Sequence, residues 1–444
     1  MRCSLGTIAG SNLPVLVANA RESRIRWDYP DMGGTVHQRS VVRVGASLIV
    51  ASLALTACGS RSGNDSGGSS GGSTKTAKIG VIAPLSGDLS ALGLGIQHSV
   101  ELAVKQANDS NAIPGWKLEV DAKDDEAKTE PGKNAATALA GDPDVIGVVG
   151  TLNTSVSQQV QPVLAPKNIV QVSPANTGPG LTQGAKWQTD PKRPYPTYFR
   201  TCTTDAVQGP FAARYLFETA KITKVATIHD KKAYGQGLVG TFTEEFKKLG
   251  GQIVAAQTIN PDDSNYQAVI SSVKPSNPQA VYYGGEYPNA GPLSQQMKAA
   301  GLNIPLMGGD GIFDPKYITL AGKTSDGDLA TSVGAPVDSL ESAKKFVADY
   351  NAQKYKEPYA AYGGYSYDAA NAIIAALKVS LKDAKDVESA RKATVDAMAN
   401  VSFDGVTGKV AFDQYGDTTS KVLTVYKVAG GKWATVETKD FESK

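Results

Sequence analysis

The chain has 444 residues, enough for two sizeable domains. Its composition, 41% hydrophobic and 20% charged, is that of a globular protein and excludes a disordered or fibrous one. The formal charge of +2 arises in residues 1–57, where six arginines meet three acids; the remainder is about −1 and holds no basic tract suited to nucleic acid.

Residues 1–57 are set aside before the fold is read. Arg39 and Arg43 precede an apolar run, 44–55, that is too short to span a bilayer but suits the core of a signal peptide. The run ends Leu55-Thr56-Ala57-Cys58, which resembles a bacterial lipobox, where small residues precede a cysteine that becomes lipid-modified. Residues 1–57 are therefore expected to be a signal peptide with an upstream extension, the start lying at Met32 or near Val36. Residues 58–76 are expected to be a lipidated Cys58 and a Gly/Ser tether that cannot form a core. With Cys58 modified, Cys202 has no disulfide partner in the mature chain and is expected to be a small buried residue.

From Ala77 strands and helices alternate, the pattern of parallel sheets with crossover helices. Residues 78–84 read as a buried strand, 85–95 as a glycine-rich loop, and the stretch to Asn108 as a helix. A strand at 118–121 follows, then a helix with Pro131 at its first position. Residues 148–179 read as strand, polar turn, helix, strand, polar turn, with Pro162 expected to bend or shorten the helix. The pattern breaks over 192–201 and then restarts. Helices are predicted over 207–219 and on the face Leu238, Phe242, Phe246 and Leu249, with strands at 224–228, 252–258, 280–283 and 305–307. Residues 328–333 lead into helices at 339–354 and 364–381, and the chain closes with a hairpin of 422–428 and 432–437.

The two turns in 148–179 carry the first functional signal. Parallel strands joined by a helix send both turns to the carboxyl edge of the sheet, where open α/β sheets bind ligands. The first turn also opens a helix, whose free N–H groups favour an anion. Thr151, Asn153, Thr154 and Ser155 in one turn, with Ser173, Asn176 and Thr177 in the other, predict a hydroxyl-lined pocket for a small carboxylate. Such residues also cap helices and shape turns.

Catalytic and metal motifs are missing from 58–444. His98 and His229 have no partners at metal-ligand spacing, and no nucleophile elbow or phosphate loop appears. Asp124-Asp125-Glu126 could be read as a metal site but is expected to be a solvated acidic loop.

Seven motifs then make the chain from Ala77 onward similar to the branched-chain amino acid (leucine/isoleucine/valine) binding proteins of ABC importers, a type I periplasmic-binding-protein fold. They are Ile82-Ala83-Pro84-Leu85-Ser86-Gly87, Ser173-Pro174-Ala175-Asn176-Thr177, Tyr198-Phe199-Arg200-Thr201, Gln208-Gly209-Pro210, His229-Asp230-Lys231 with Tyr234-Gly235-Gln236-Gly237, Tyr282-Tyr283-Gly284-Gly285, and Met307-Gly308-Gly309-Asp310-Gly311. The resemblance implies two α/β lobes, each a mostly parallel sheet flanked by helices, with three hinge crossings near 200–203, 331–334 and 416–420. Lobe 1 would comprise 77–200 and 334–416, and lobe 2 would comprise 201–333 and 417–444.

It also implies a site between the lobes. Thr154, Ser155 and Thr177 would hold the carboxylate of an amino acid, and Ala175, Thr177 and Asp310 its ammonium. Tyr234, Tyr362, Leu92 and Glu286 would surround its side chain; two of these positions often carry aromatics in relatives, and an acid at Glu286 departs from an aliphatic pocket. The expected protein is a monomeric, lipid-anchored solute-binding protein on the extracytoplasmic face. It would capture an amino acid, a branched-chain one by the resemblance, between two closing lobes and hand it to a membrane permease, without cofactor, metal, catalysis or nucleic acid. A lipid-anchored sensor and an enzyme on the same fold are the alternatives.

Overall fold

The computed structural model describes residues 74–441. The signal, lipobox and most of the linker fall outside that range, as do the last three residues.

Strand β1 (Lys75–Ala83) is a nearly continuous apolar run, fully buried toward its carboxyl end, as a central parallel strand must be. It begins two residues inside the stretch assigned to the linker, because Lys75 and Thr76 already pair with Trp116 and Lys117. The other strands of this sheet are β2 (Trp116–Asp124), β3 (Val145–Gly150), β4 (Val170–Ser173) and β5 (Tyr198–Arg200). Their order is β2-β1-β3-β4-β5, all parallel.

The second sheet runs β14-β13-β10-β9-β8-β6-β7. Its strands are β6 (Lys224–His229), β7 (Gln252–Thr258), β8 (Ala280–Gly284), β9 (Leu306–Gly308), β10 (Leu329–Val333), β13 (Val422–Ala429) and β14 (Lys432–Asp440), with β11 (Ser402–Gly405) and β12 (Gly408–Ala411) forming a separate hairpin. Only the β10–β13 and β13–β14 pairs are antiparallel in it, because β13 alone runs against the other strands. The chain leaves the first sheet after Arg200, returns after Val333, and crosses again before Val422. The architecture is thus two-lobed α/β, with helix Gly363–Ser380 lying against Ser90–Asp109 and against β3 and β4.

Helical periodicity accounts for the layers around the sheets. In helix Ser90–Asp109, Leu92, Ile96, Val100, Ala103 and Ala107 are buried at three- and four-residue spacing. In helix Ala233–Lys248, Leu238, Phe242 and Phe246 are fully buried, and Phe242 stacks on Tyr282 at 3.7 Å. Burying each such side chain contributes about 1.5–3 kcal/mol.

Several expected boundaries shift. The stretch 85–95 is a loop only in its first half, since the helix starts at Ser90. Its glycines serve packing: a Cβ on Gly93 would lie 1.9 Å from the Pro84 carbonyl oxygen, and one on Gly95 would lie 2.6 Å from that of Tyr359. The helix expected to start at Pro131 starts at Thr129, and Pro131, still in the first turn, forfeits no helical hydrogen bond. The helix Thr154–Leu164 carries Pro162 and ends two residues after it. Over 339–354, two 3-10 turns precede the helix Lys344–Gln353. Where the pattern broke, β5 completes the first sheet. Helix Val387–Met398 and the β11–β12 hairpin had no counterpart in the sequence reading. Cys202 is fully buried, as expected. Asp125 is not solvated: it is fully buried, with its carboxyl pushed up to about 7 by burial. It serves the turn, Oδ1 accepting from Ala127 N at 2.8 Å, and no metal-ligating cluster exists among the described residues.

Candidate functional site

Strands β3 and β4 end side by side, and their turns are tied into one unit. Ser173 Oγ donates to the Thr151 carbonyl at 3.0 Å and accepts from the amides of Ala175 and Asn176. Asn176 Nδ2 donates to the Leu152 carbonyl at 2.8 Å. The turns approach so closely that a Cβ on Gly178 would lie 2.7 Å from Thr154 Cγ2. Arg200 fixes the second turn from behind. Its buried guanidinium donates to the carbonyls of Asn176 at 2.6 Å and Gly178 at 3.0 Å, and pairs with Asp417 at 2.6 Å.

Helix Thr154–Leu164 opens toward this edge, anchored by the fully buried Val156, Val160 and Leu164. Its first hydrogen bond runs from Ser157 N to Asn153 O, so the amides of Thr154, Ser155 and Val156 have no acceptor within the helix. Thr154 Oγ1 and Thr177 Oγ1 are buried and have no partner of hydrogen-bond geometry among the described residues, although Thr177 stands close enough to Asp205 to pull its carboxyl down somewhat. Buried polar atoms are nearly always paired, so two unpaired hydroxyls beside three free amides make this a donor-rich edge, chemically suited to an anion.

The opposite wall comes from the carboxyl ends of β6, β8 and β9. Asp310 follows β9 and is buried. Its Oδ1 accepts from Gln208 Nε2 at 2.9 Å and Tyr234 OH at 2.8 Å, and its Oδ2 accepts from Tyr362 OH at 2.9 Å. All three partners are neutral. Burial raises the Asp310 carboxyl, and the three donors partly offset this. A carboxylate accepts about four hydrogen bonds, so one position is left for a charged donor. Asp205 lies behind, joined to Gln208 at 3.3 Å; burial and the nearby Asp310 charge push its carboxyl up to about 8.

Glu286 follows β8 and is buried between two partners. Oε1 accepts from Asn153 Nδ2 at 2.8 Å, and Oε2 pairs with Lys232 Nζ at 3.0 Å. Burial pulls the Lys232 ammonium down, but the Glu286 and Asp230 charges outweigh it and leave the group raised.

Leu92, Leu152, Asn153, Thr154, Ala175, Tyr234, Glu286, Asp310, Gly311 and Tyr362 line one narrow, partly open cavity with free volume of only about 20 Å³, so the lobes are closed tightly on one another here. Seven of the sequence-predicted residues therefore line one cavity. Thr177 is buried in the second turn next to it, and Ser155 stands half-buried at the helix start; neither lines the cavity itself. Asp205, Gln208 and Lys232 join the site without a role predicted from the sequence, Gln208 from the Gln208-Gly209-Pro210 motif, and Asn153, expected only as part of the first polar turn, reaches Glu286.

A two-lobed α/β clamp with an anion-receiving wall facing a buried carboxylate is the design of an extracytoplasmic solute-binding protein. The periplasmic binding protein family model matches residues 76–432, and the chain belongs to that family. It is 31% identical over 353 residues to the Leu/Ile/Val-binding protein homolog 1 of Brucella suis, covering 79% of this chain and 89% of the relative. Its fold matches the branched-chain amino acid transporter substrate-binding protein LivJ of Streptococcus pneumoniae, solved with isoleucine, at a TM-score of 0.72 and 27% identity, covering 81% of this chain and 99% of that one. The leucine-binding protein LivK of Thermotoga maritima also aligns at a TM-score of 0.72, with 25% identity over 82% of this chain and 98% of its own.

Proposed function

We propose that this protein is the solute-binding component of an ABC importer and captures an α-amino acid between its lobes for delivery to a membrane permease. The observation that carries this is the pairing of unpartnered Thr154 and Thr177 hydroxyls on one wall with Asp310, held only by neutral donors, on the other. A zwitterion satisfies both walls through charge-assisted hydrogen bonds. Thr154, Ser155 and Thr177 take its carboxylate; Asp310, the Ala175 carbonyl and Thr177 take its ammonium. Leu92, Tyr234, Tyr362 and Glu286 surround its side chain. The relatives named for leucine, isoleucine and valine make those the first ligands to try.

Lobe 1 comprises residues 77–200 and 334–416, with Lys75 and Thr76 added by the observed strand, and lobe 2 comprises 201–333 and 417–444 in this reading. The protein works as a monomer tethered through lipidated Cys58 on the extracytoplasmic face, without turnover or cofactor. Calorimetric titration with the L-amino acids tests the central claim. One-to-one binding without product supports it; no heat from any amino acid overturns it.

A further inference from the structure

With the zwitterion's ends placed on Thr154, Ala175, Thr177 and Asp310, and the Tyr234 and Tyr362 hydroxyls both engaged by Asp310, the wall of cavity side chains left to distinguish one ligand side chain from another is Leu92, Leu152, Asn153 and Glu286. Two of these are apolar and two are polar. All four are buried, so this wall is as sheltered from water as the rest of the site.

Asn153 occupies the N-cap position of helix Thr154–Leu164 yet makes no side-chain cap bond. An asparagine there normally accepts from an amide one turn into the helix. Here its side chain crosses the cleft and donates through Nδ2 to Glu286 Oε1. That bond fixes which way the amide points, and it leaves Oδ1 buried with no partner. Glu286 pairs with Lys232 and also lies against buried Asp230, whose carboxyl is pushed up to about 8 by burial and by the Glu286 charge, so Glu286 is already well engaged. The unmet atom on this wall is therefore an acceptor, Asn153 Oδ1. Lys232, beside Glu286, also disfavours a second cation.

We propose that Asn153 and Glu286 form a specificity-determining wall that favours an amino acid whose side chain is small, neutral and carries a hydrogen-bond donor, a hydroxyl or carboxamide, over its aliphatic isostere. This rests on the amino-acid reading above. Leu92 and Leu152 still accept the branching of an aliphatic ligand, so the sharpest comparison is threonine with valine, which match in shape. Valine leaves Asn153 Oδ1 unpaired in a closed cleft, an effect of roughly ten- to a hundredfold in affinity.

The experiment measures Kd for threonine, valine, asparagine, leucine and lysine on the wild-type protein and on Glu286→Leu/Lys232→Met with Asn153→Leu. Removing Glu286 and Lys232 together leaves neither without the other, and it takes from Asp230, its carboxyl already raised to about 8, both the Glu286 charge and the Lys232 cation 4.0 Å away. Wild type should bind threonine at least tenfold more tightly than valine, and the triple variant, its fold checked by circular dichroism, should bring that ratio to one or below. Asn153→Leu alone keeps the Glu286–Lys232 pair, should lower the threonine-to-valine ratio, and serves if the triple variant does not fold; an unchanged ratio in this single variant overturns the proposal. Valine or leucine binding wild type more tightly than threonine and asparagine overturns this proposal and leaves the amino-acid function standing. Lysine binding tightest, or a ratio unchanged in the folded triple variant, also overturns it. Failure of every amino acid to bind overturns the functional reading and this one with it.

Discussion

Replacing Asp310 with asparagine removes one charge and almost no volume. The carboxylate is buried and accepts from Gln208, Tyr234 and Tyr362, so its position is set by three donors. In the proposed complex it is the anionic partner of the ligand's ammonium. Breaking a buried pair by removing one member costs about 3–5 kcal/mol, because the other charge is left uncompensated. At 1.4 kcal/mol per decade, affinity for the preferred amino acid should fall by about two to four decades. The free protein should respond differently. Burial already raises the Asp310 carboxyl above its ordinary range, so neutralising it relieves a desolvation cost. Asp310→Asn should therefore melt at or above the wild-type temperature while losing affinity. Calorimetry for Kd and a thermal melt of the free protein read the two effects separately. A Kd within threefold of wild type refutes the assignment of Asp310, and a melting loss matching the affinity loss shows that the residue acts through the fold.

Thr154→Val removes the unpaired hydroxyl but keeps the free amides at the helix start, so Kd should rise only about fivefold, or ~1 kcal/mol; a loss as large as that of Asp310→Asn contradicts the division of the site. Ligand binding should release protons near pH 7, because the Asp205 carboxyl is pushed up to about 8 by burial and by Asp310, and an arriving ammonium favours its charged form. Binding heats should then differ between phosphate and Tris, and equal heats rule this out. Stability of the free protein should fall as pH rises from 5 to 8. Asp368, Asp125 and Asp205 are raised to about 6, 7 and 8, so each stabilises the fold fully below its unfolded value and loses that contribution as pH passes its folded one. The lowered acids, such as Asp124 and Asp142, act only below about pH 4 and do not oppose the trend. A urea midpoint that is flat or rising over this range contradicts it. Arg200→Met should cost about 3–5 kcal/mol in urea unfolding, since Asp417 is left buried and the carbonyls of Asn176 and Gly178 lose their donor; a loss under about 1 kcal/mol would remove Arg200 as the anchor of the second turn.

The sequence made the β3–helix–β4 unit readable because its two periodicities are clean and its turns carry capping residues. Strand β5 was not readable. Its three residues follow a proline-rich stretch, and they form a strand only by pairing with β4 and by the Arg200–Asp417 contact across 217 residues. The β11–β12 hairpin is likewise held from afar, by Asp368 accepting from the amides of Val406 and Thr407. Asp310 could be placed from a motif because its position after a strand is local. Asn153 could not. Its side chain has cap chemistry, and only the fold brings Glu286, 133 residues later, near enough to draw it away.

The same two cross-cleft bonds bear on how the clamp closes. Tyr362 reaches Asp310 at 2.9 Å and Asn153 reaches Glu286 at 2.8 Å, each joining the first-sheet layer to the second. Protein atoms alone make both. At about 0.5–1.5 kcal/mol net apiece, they contribute ~1–3 kcal/mol toward closure. Moving a two-state equilibrium from 1:99 to 99:1 takes about 5.5 kcal/mol, so these bonds supply only part of such a shift. Tyr287 OH donating to the Asp88 carbonyl and Gln188 donating to Glu244 join the same two layers without ligand, and whatever shift a ligand drives must come from contacts that exist only with it bound. Asp310 concentrates that demand, since Tyr362 occupies one of its positions in the closed form and an ammonium would occupy the last. A ligand without an ammonium would keep the neutral bonds and forfeit the charged one. In the proposed complex, recognition of the zwitterion and closure of the lobes therefore meet at a single carboxylate.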